Sequence, residues 1–279
     1  MVITLVRRVT AACVLGAALT ACAATPHPAP RTARPAPSAT SAPAASAPPT
    51  LAPGPGGLTP VFKNGSRSRG RTVALTFDAD MTADQGARAA AGEHFDNPGL
   101  IAALRALKVP ATVFMTGRWA EEYPEQARSI GRDPLFEVAN HSYSHYAFTD
   151  HCYGLPTVSG DRMRADVERA YAALRRAGVP DARPYFRFPG GCYDRRALKA
   201  LTPVGVTAVQ WDVVSGDAFA TDAEAVSRQV LEGVRPGSVV VMHCTRSAAP
   251  TTERVVRTVV PKLRERRFRF VQVSELIGS

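Results

Sequence analysis

The chain has 279 residues, and only about 220 of them lie beyond a proline-rich opening, which is room for one well-buried domain and not for two. A formal net charge of +10 favours anionic partners. The charge alone would also suit nucleic acid, but no recognisable nucleic-acid module accompanies it.

In chain order, Arg7 and Arg8 precede the apolar run Val9 to Leu19, which is too short to span a bilayer and has the layout of a secretory leader. Leu19-Thr20-Ala21-Cys22 then reads as a lipobox, so residues 1–21 are expected to be a lipoprotein signal and Cys22 the lipidated first residue of the mature chain. An ordinary secretory leader is the alternative, and either one exports the protein. The two leader arginines account for two of the ten net charges, which leaves +8 for attraction to envelope polymers and lipid headgroups. Residues 22–57 are dominated by Pro, Ala, Ser and Thr and cannot bury a core. They read as a tether with a reach on the order of 100 Å if extended as polyproline helix.

From residue 58 to 279 strand-like runs alternate with helical ones. Strands are expected at Val73–Phe77, Ala111–Thr116, Phe136–Ala139, Pro184–Phe188, Val206–Trp211, Ser238–His243 and Phe268–Val273. Between the first two lies an Ala/Gly-rich insertion containing His94, read as a loop. Asp96-Asn97-Pro98 caps a helix whose apolar positions Leu100, Ile101, Leu104 and Leu107 have helical spacing. Asp161 to Ala177 forms another, ended by Gly178 and Pro180. Thr251 to Arg267 forms the last, with Pro261 expected to bend or interrupt it. Such alternation fits a parallel barrel or an open doubly wound sheet.

The most informative segment is Asn140-His141-Ser142-Tyr143-Ser144-His145. Two imidazoles four residues apart, on a helical or tightly turned segment, can reach one divalent ion. A carboxylate from Thr76-Phe77-Asp78-Ala79-Asp80, at the end of a buried strand, would complete a site with open coordination positions. Three further elements follow in order: Arg187-Phe188-Pro189-Gly190-Gly191, Trp211 to Asp217, and Val239-Val240-Val241-Met242-His243.

On these five ordered motifs the chain, from about Arg71 to Ile277, resembles the polysaccharide deacetylase family of metal-dependent carbohydrate esterases. The resemblance implies a distorted, incomplete (β/α) barrel with about seven parallel strands. Reactive residues at the C-terminal ends of several strands are consistent with that. It implies a hydrolase that removes acetyl groups from a polysaccharide, with a divalent metal, Zn²⁺ by expectation, held by Asp80, His141 and His145. It gives Asp78 the role of general base, Arg187 that of holding Asp78 in place, and His243 that of general acid. Asp217 would be the counter-charge of His243, with Asp212 as the alternative.

The chain departs from the family at Ala79, where a second aspartate usually stands. Asp80 is the nearest substitute, and bringing it in is expected to require a bend or bulge. It departs again at Ala218-Phe219, where tryptophan commonly follows the aspartate, so the groove wall is altered. The glycines after Arg187 would let a backbone amide approach an oxyanion. His151 is a weaker ligand candidate, His27 lies in the tether, and Trp119 and Trp211 are candidates for core or for a sugar-stacking wall, with the core favoured for Trp119. Of five cysteines, Cys13 and Cys22 precede the domain. Export allows one bridge among Cys152, Cys192 and Cys244, and Cys152–Cys192 is expected, bracing the loops after the second and third motifs.

The expected protein is an exported, lipid-anchored monomer on the outer face of the cell membrane, deacetylating an envelope or environmental glycan, with peptidoglycan N-acetyl groups leading. O-acetyl xylan or chitin-like oligosaccharide is the alternative substrate. A non-catalytic glycan-binding lipoprotein with a degenerate metal site is the alternative of another class.

Overall fold

The structure, a computed structural model, describes residues 47–279. The leader, the lipidation site Cys22 and most of the tether fall outside the described residues. The compact unit runs from Ser46 to Ser279 and so begins ahead of Leu58. Tyr185 donates its hydroxyl to the Pro49 carbonyl at 2.8 Å, and the Leu51 amide donates to Thr207 Oγ1 at 3.1 Å. Part of the segment read as tether is therefore fastened to the domain.

The strands are β1 (Val61–Phe62), β2 (Thr72–Ala79), β3 (Ala111–Met115), β4 (Phe136–Asn140), β5 (Tyr185–Phe186), β6 (Thr207–Val209), β7 (Val213–Val214), β8 (Ser238–His243) and β9 (Arg269–Phe270). The helices are α1 (Gln85–Ala90), α2 (Pro98–Ala106), α3 (Gly117–Glu122), α4 (Pro124–Gly131), α5 (Met163–Arg176), α6 (Arg195–Leu201), α7 (Ala223–Gly233), α8 (Thr252–Glu265) and α9 (Val273–Ile277). All strand pairs are parallel, in the order β1-β6-β5-β4-β3-β2-β8-β7, with β9 pairing to β2. The sheet curls into a half-barrel with its longer helices outside. Parallel pairing puts every C-terminal strand end on one face, where the motifs lie.

Each expected strand is found, several of them shortened. The short β1 and β7 were not anticipated, because two-residue pairings leave no period to detect. The expected strand Phe268–Val273 shrinks to β9, and its last residue starts α9 instead. The insertion read as a loop contains the short helix α1. Asn97 caps α2 as expected, its Oδ1 accepting the Leu100 amide at 3.0 Å. Pro261 does not interrupt α8, which is continuous over 14 residues. Val255, Val256, Val259, Val260 and Leu263 bury one stripe of that helix, and this packing outweighs the lost N–H.

Two apolar layers sandwich the sheet. Val73, Leu75, Phe77 and Ala79 of β2 point outward to the layer shared with α2 and α8. Ala74 points inward, where Phe114, Tyr185, Val239 and Leu276 of α9 fill the barrel floor. Period two places Thr76, Asp78 and Asp80 on that inner side as well. The strand remains regular to its end, with Ala79 in register with Met115. Asp80 therefore needs no bulge to reach the inner face, contrary to the expectation from sequence. Position 79 faces hydrocarbon, so Ala79→Asp should bury an unpaired charge there. It is expected to cost on the order of 3 kcal/mol in chemical denaturation.

Candidate active site

Arg187 follows β5 with no exposed surface, and burial pulls its pKa down against the opposing pull of Asp78. Its NH1 donates to Asp78 Oδ1 at 2.7 Å, and its Nε donates to the Val209 carbonyl at 3.2 Å. The guanidinium lies 3.9 Å from the Phe114 ring centroid and 5.3 Å from that of Trp211. Aromatic faces and a carboxylate together offset the desolvation of this cation.

The histidine segment is a turn after β4 and not a helix. Ser142 and His145 adopt left-handed φ of 70° and 56°. The turn is pinned from both sides: Asn140 Oδ1 accepts the Ser142 amide at 2.8 Å, Ser142 Oγ accepts the His145 amide at 2.9 Å, and Asp166 of α5 accepts the Tyr143 amide at 2.8 Å. These bonds offset the strain of left-handed non-glycine residues. The rings of His141 and His145 come to rest 5.0 Å apart.

His141 Nδ1 is 2.9 Å from the Arg187 carbonyl, to which it can only donate. That fixes the tautomer and leaves the Nε2 lone pair free, 3.7 Å from Asp78 Oδ2. His145 Nε2 lies 3.4 Å from Asp80 Oδ2. Burial, partly opposed by Asp80, drives the His145 pKa down to about 4, so its ring is neutral and also offers a lone pair. Burial would raise the Asp80 pKa, but His145, His243 and a hydrogen bond from Thr245 bring it below the ordinary value.

β8 lies beside β2, with His243 in register with Asp78. Asp217 receives His243 Nδ1 at 2.8 Å and the His243 amide at 2.8 Å. Ser215 Oγ at 2.9 Å and Thr252 Oγ1 at 2.7 Å donate to the same carboxylate. Burial would lower the His243 pKa, yet the hydrogen bond and charge of Asp217 raise it to about 9. Asp212 is occupied elsewhere, by Arg67 at 2.6 Å and the Val239 amide at 2.7 Å. The structure thus brings Asp78, Asp80, His141, His145, Arg187, Asp217 and His243 to one end of the half-barrel. It does not bring His151 among them.

Residues 65–209 match the profile of the polysaccharide deacetylase family. The chain belongs to that family. Its relatives include a chitooligosaccharide deacetylase of Azorhizobium caulinodans, 27% identical over 182 residues, 61% of this chain and 83% of that one. A peptidoglycan-N-acetylglucosamine deacetylase of Bacillus cereus is 28% identical over 184 residues, 65% of this chain and 63% of that one. Among solved structures, a pseudoenzyme of carbohydrate esterase family four from Bacillus anthracis has a TM-score of 0.63 and 23% identity, covering 81% of this chain and 70% of that one.

Against the family pattern, Asp80 rather than residue 79 stands with the histidines. Among the described residues no three His, Cys, Asp or Glu side chains are closed into a preformed metal-ligand group. The donor chemistry nonetheless fits a divalent ion: one carboxylate and two imidazoles on one face, His141 with its Nδ1 turned to a backbone carbonyl and His145 kept neutral by burial. The glycines after Arg187 serve packing. A Cβ at Gly190 would come within 2.5 Å of Cys152 Sγ, and one at Gly191 within 2.4 Å of the Trp211 ring. The Gly191 amide is taken up by the Phe188 carbonyl at 2.8 Å, which removes it as an oxyanion donor. Cys152 and Cys192 form the expected bridge, and Cys244 is free and buried. Trp119 is core, its Nε1 donating to the Phe95 carbonyl at 2.7 Å. Thr245, Thr252, Ser215 and Asp166 were not anticipated, because single hydroxyls and one aspartate in the first turn of a helix do not stand out in a sequence.

Proton NMR of the metal-free protein should show His243 titrating well above 6.5, near 9, and Asp217→Asn should bring it below 6.5. The raised value means that the pair stabilises the fold fully below pH 6.5 and loses that contribution as pH rises through about 9, on the order of 3 kcal/mol in all.

Proposed function

We propose that the protein hydrolyses acetyl groups from an N-acetylated envelope glycan, with peptidoglycan as the leading substrate, using a divalent ion held by Asp80, His141 and His145. The observation that carries this reading is the pairing across two adjacent strands of a carboxylate locked by Arg187 and an imidazole charged by Asp217. These are the two halves of acid–base hydrolysis. When bound, the ion would supply Lewis-acid polarisation of the acetyl carbonyl and a more acidic water, and zinc suits this donor set.

Asp78, oriented by Arg187, takes a proton from the attacking water. His243, protonated at neutral pH, gives a proton to the sugar nitrogen as the carbon–nitrogen bond breaks. Acetate and a free amine result. Asp217 keeps the His243 ring oriented through Nδ1, which leaves Nε2 as the donor. Thr252 and Ser215 keep Asp217 an acceptor.

The Bacillus cereus relative supports peptidoglycan, and so does the leader with its lipobox and tether, which would hold the enzyme on the outer face of the cell membrane. The Azorhizobium relative supports chitin-like oligosaccharide as the other substrate. A non-catalytic glycan-binding protein is the second reading, favoured by the open ligand group and by the likeness to a pseudoenzyme.

The test is acetate release by residues 46–279 from acetylated glycans, metal-loaded and chelated, alongside metal content by elemental analysis. Metal-dependent release is expected, falling by about 100-fold or more in Asp78→Asn. His141→Ala should lose the bound metal as well as the activity. Metal-loaded protein that binds glycan without releasing acetate would favour the second reading.

A further inference from the structure

Among the described residues the exposed large hydrophobics are Tyr153, Val214 and Phe219. Val214 belongs to the edge strand β7, whereas Tyr153 is 89% and Phe219 84% exposed on loops that follow site motifs. Both aromatics also have left-handed backbones, with φ of 49° and 59°, a conformation that bulky residues avoid. Each is held there. Tyr153 lies next to the Cys152–Cys192 bridge, in a turn closed by the Leu155 amide on the Cys152 carbonyl at 2.9 Å. The Phe219 amide donates to the Ala248 carbonyl at 2.6 Å, two residues after the aspartate that holds His243. Strain of this kind, maintained by surrounding bonds to display an apolar ring to solvent, marks a binding element.

Their positions give the ligand. Tyr153 sits where the loops after β4 and β5 meet, with its ring edge 3.3 Å from a Cβ placed at Gly190, three residues from Arg187. Beside it is a cleft of about 440 Å³ lined by both polar and apolar groups: Asp150, His151, Tyr153, Leu155 and the disulfide. Phe219 sits where the loops after β7 and β8 meet. In the sheet order β4-β3-β2-β8, the strand carrying Asp78 lies between them. From β4 to β8 is three strand spacings, roughly 14 Å along the sheet and wider than one sugar ring. An aromatic face with polar neighbours suits the apolar face and hydroxyls of a pyranose.

We propose that Tyr153 and Phe219 are stacking platforms for sugar rings on opposite sides of the reacting unit, so that the protein binds a glycan of at least three units across its mouth. This rests on the deacetylase reading for the identity of the ligand, and binding can be measured apart from turnover. Neither Tyr153 nor Phe219 is a member of the acid–base pair, and both act on affinity for length.

Calorimetric titration with N-acetylglucosamine oligomers of increasing length, and acetate release from the same series, test the inference with Tyr153→Ala, Phe219→Ala and Tyr153→Trp. Wild-type affinity should rise with length. Each alanine variant should weaken the longest oligomer roughly tenfold, raise KM with kcat kept, and leave the monosaccharide unaffected, while Tyr153→Trp restores wild-type behaviour. Affinity independent of length, or alanine variants that bind every oligomer like wild type or lose all lengths equally, would overturn it. If wild type shows the length-dependent binding and the variants lose it, but no oligomer releases acetate, the stacking inference stands and the deacetylase reading fails.

Discussion

Arg187 is the constraint on which the rest of the site depends. A guanidinium with no exposed surface is stable only where carboxylate, carbonyl and aromatic partners replace its water, and its backbone and side chain link separate strands through those partners. Its side chain orients Asp78, its carbonyl sets the His141 tautomer, and its amide donates to the Asn140 carbonyl at 2.9 Å. One residue after a two-residue strand thus couples the carboxylate motif to the histidine turn. A lysine in its place could keep the charge but not the forked contacts to Asp78 and Val209.

Strand alternation explains how the site tolerates its departure from the family pattern. Because Asp78 and Asp80 are two apart on a regular strand, both face the barrel interior, and the residue between them joins the outer core. The site also keeps much of its strain in loops. The left-handed Ser142, His145, Tyr153 and Phe219 all lie beyond strand ends, and each is pinned by hydrogen bonds or the disulfide. The sheet beneath is regular and buried, and that rigidity lets such loops hold one geometry.

The long strands and helices were legible in the sequence because burial on two faces leaves an apolar run and burial along one stripe leaves a period. β2 and β8 show the first and α5 and α8 the second, whereas β1 and β7 are too short to show either. The ordered motifs brought the seven site residues into view because their chemistry is unusual in apolar surroundings. Sequence misjudged Asp80 by treating the strand end as needing a bulge, and of the backbone amides it offered to an oxyanion after Arg187, that of Gly191 closes a local turn instead. Asp217 and Asp212 could be separated only by the register of β7 against β8, which puts one aspartate beside His243 and commits the other to Arg67 and Val239. The supporting hydroxyls were invisible because threonine and serine are common and their role lies in direction, not in type.

The fastening of Pro49 and Leu51 has a mechanical consequence. Their partners Tyr185 and Thr207 open β5 and β6, and Gly278, after α9, packs against Pro49. The chain therefore leaves the domain from the floor of the half-barrel, while His243 and the histidine turn sit at its mouth. Loosening Pro49 and Leu51 would therefore disturb the start of β5 and β6 at the closed floor and leave the catalytic opening in place.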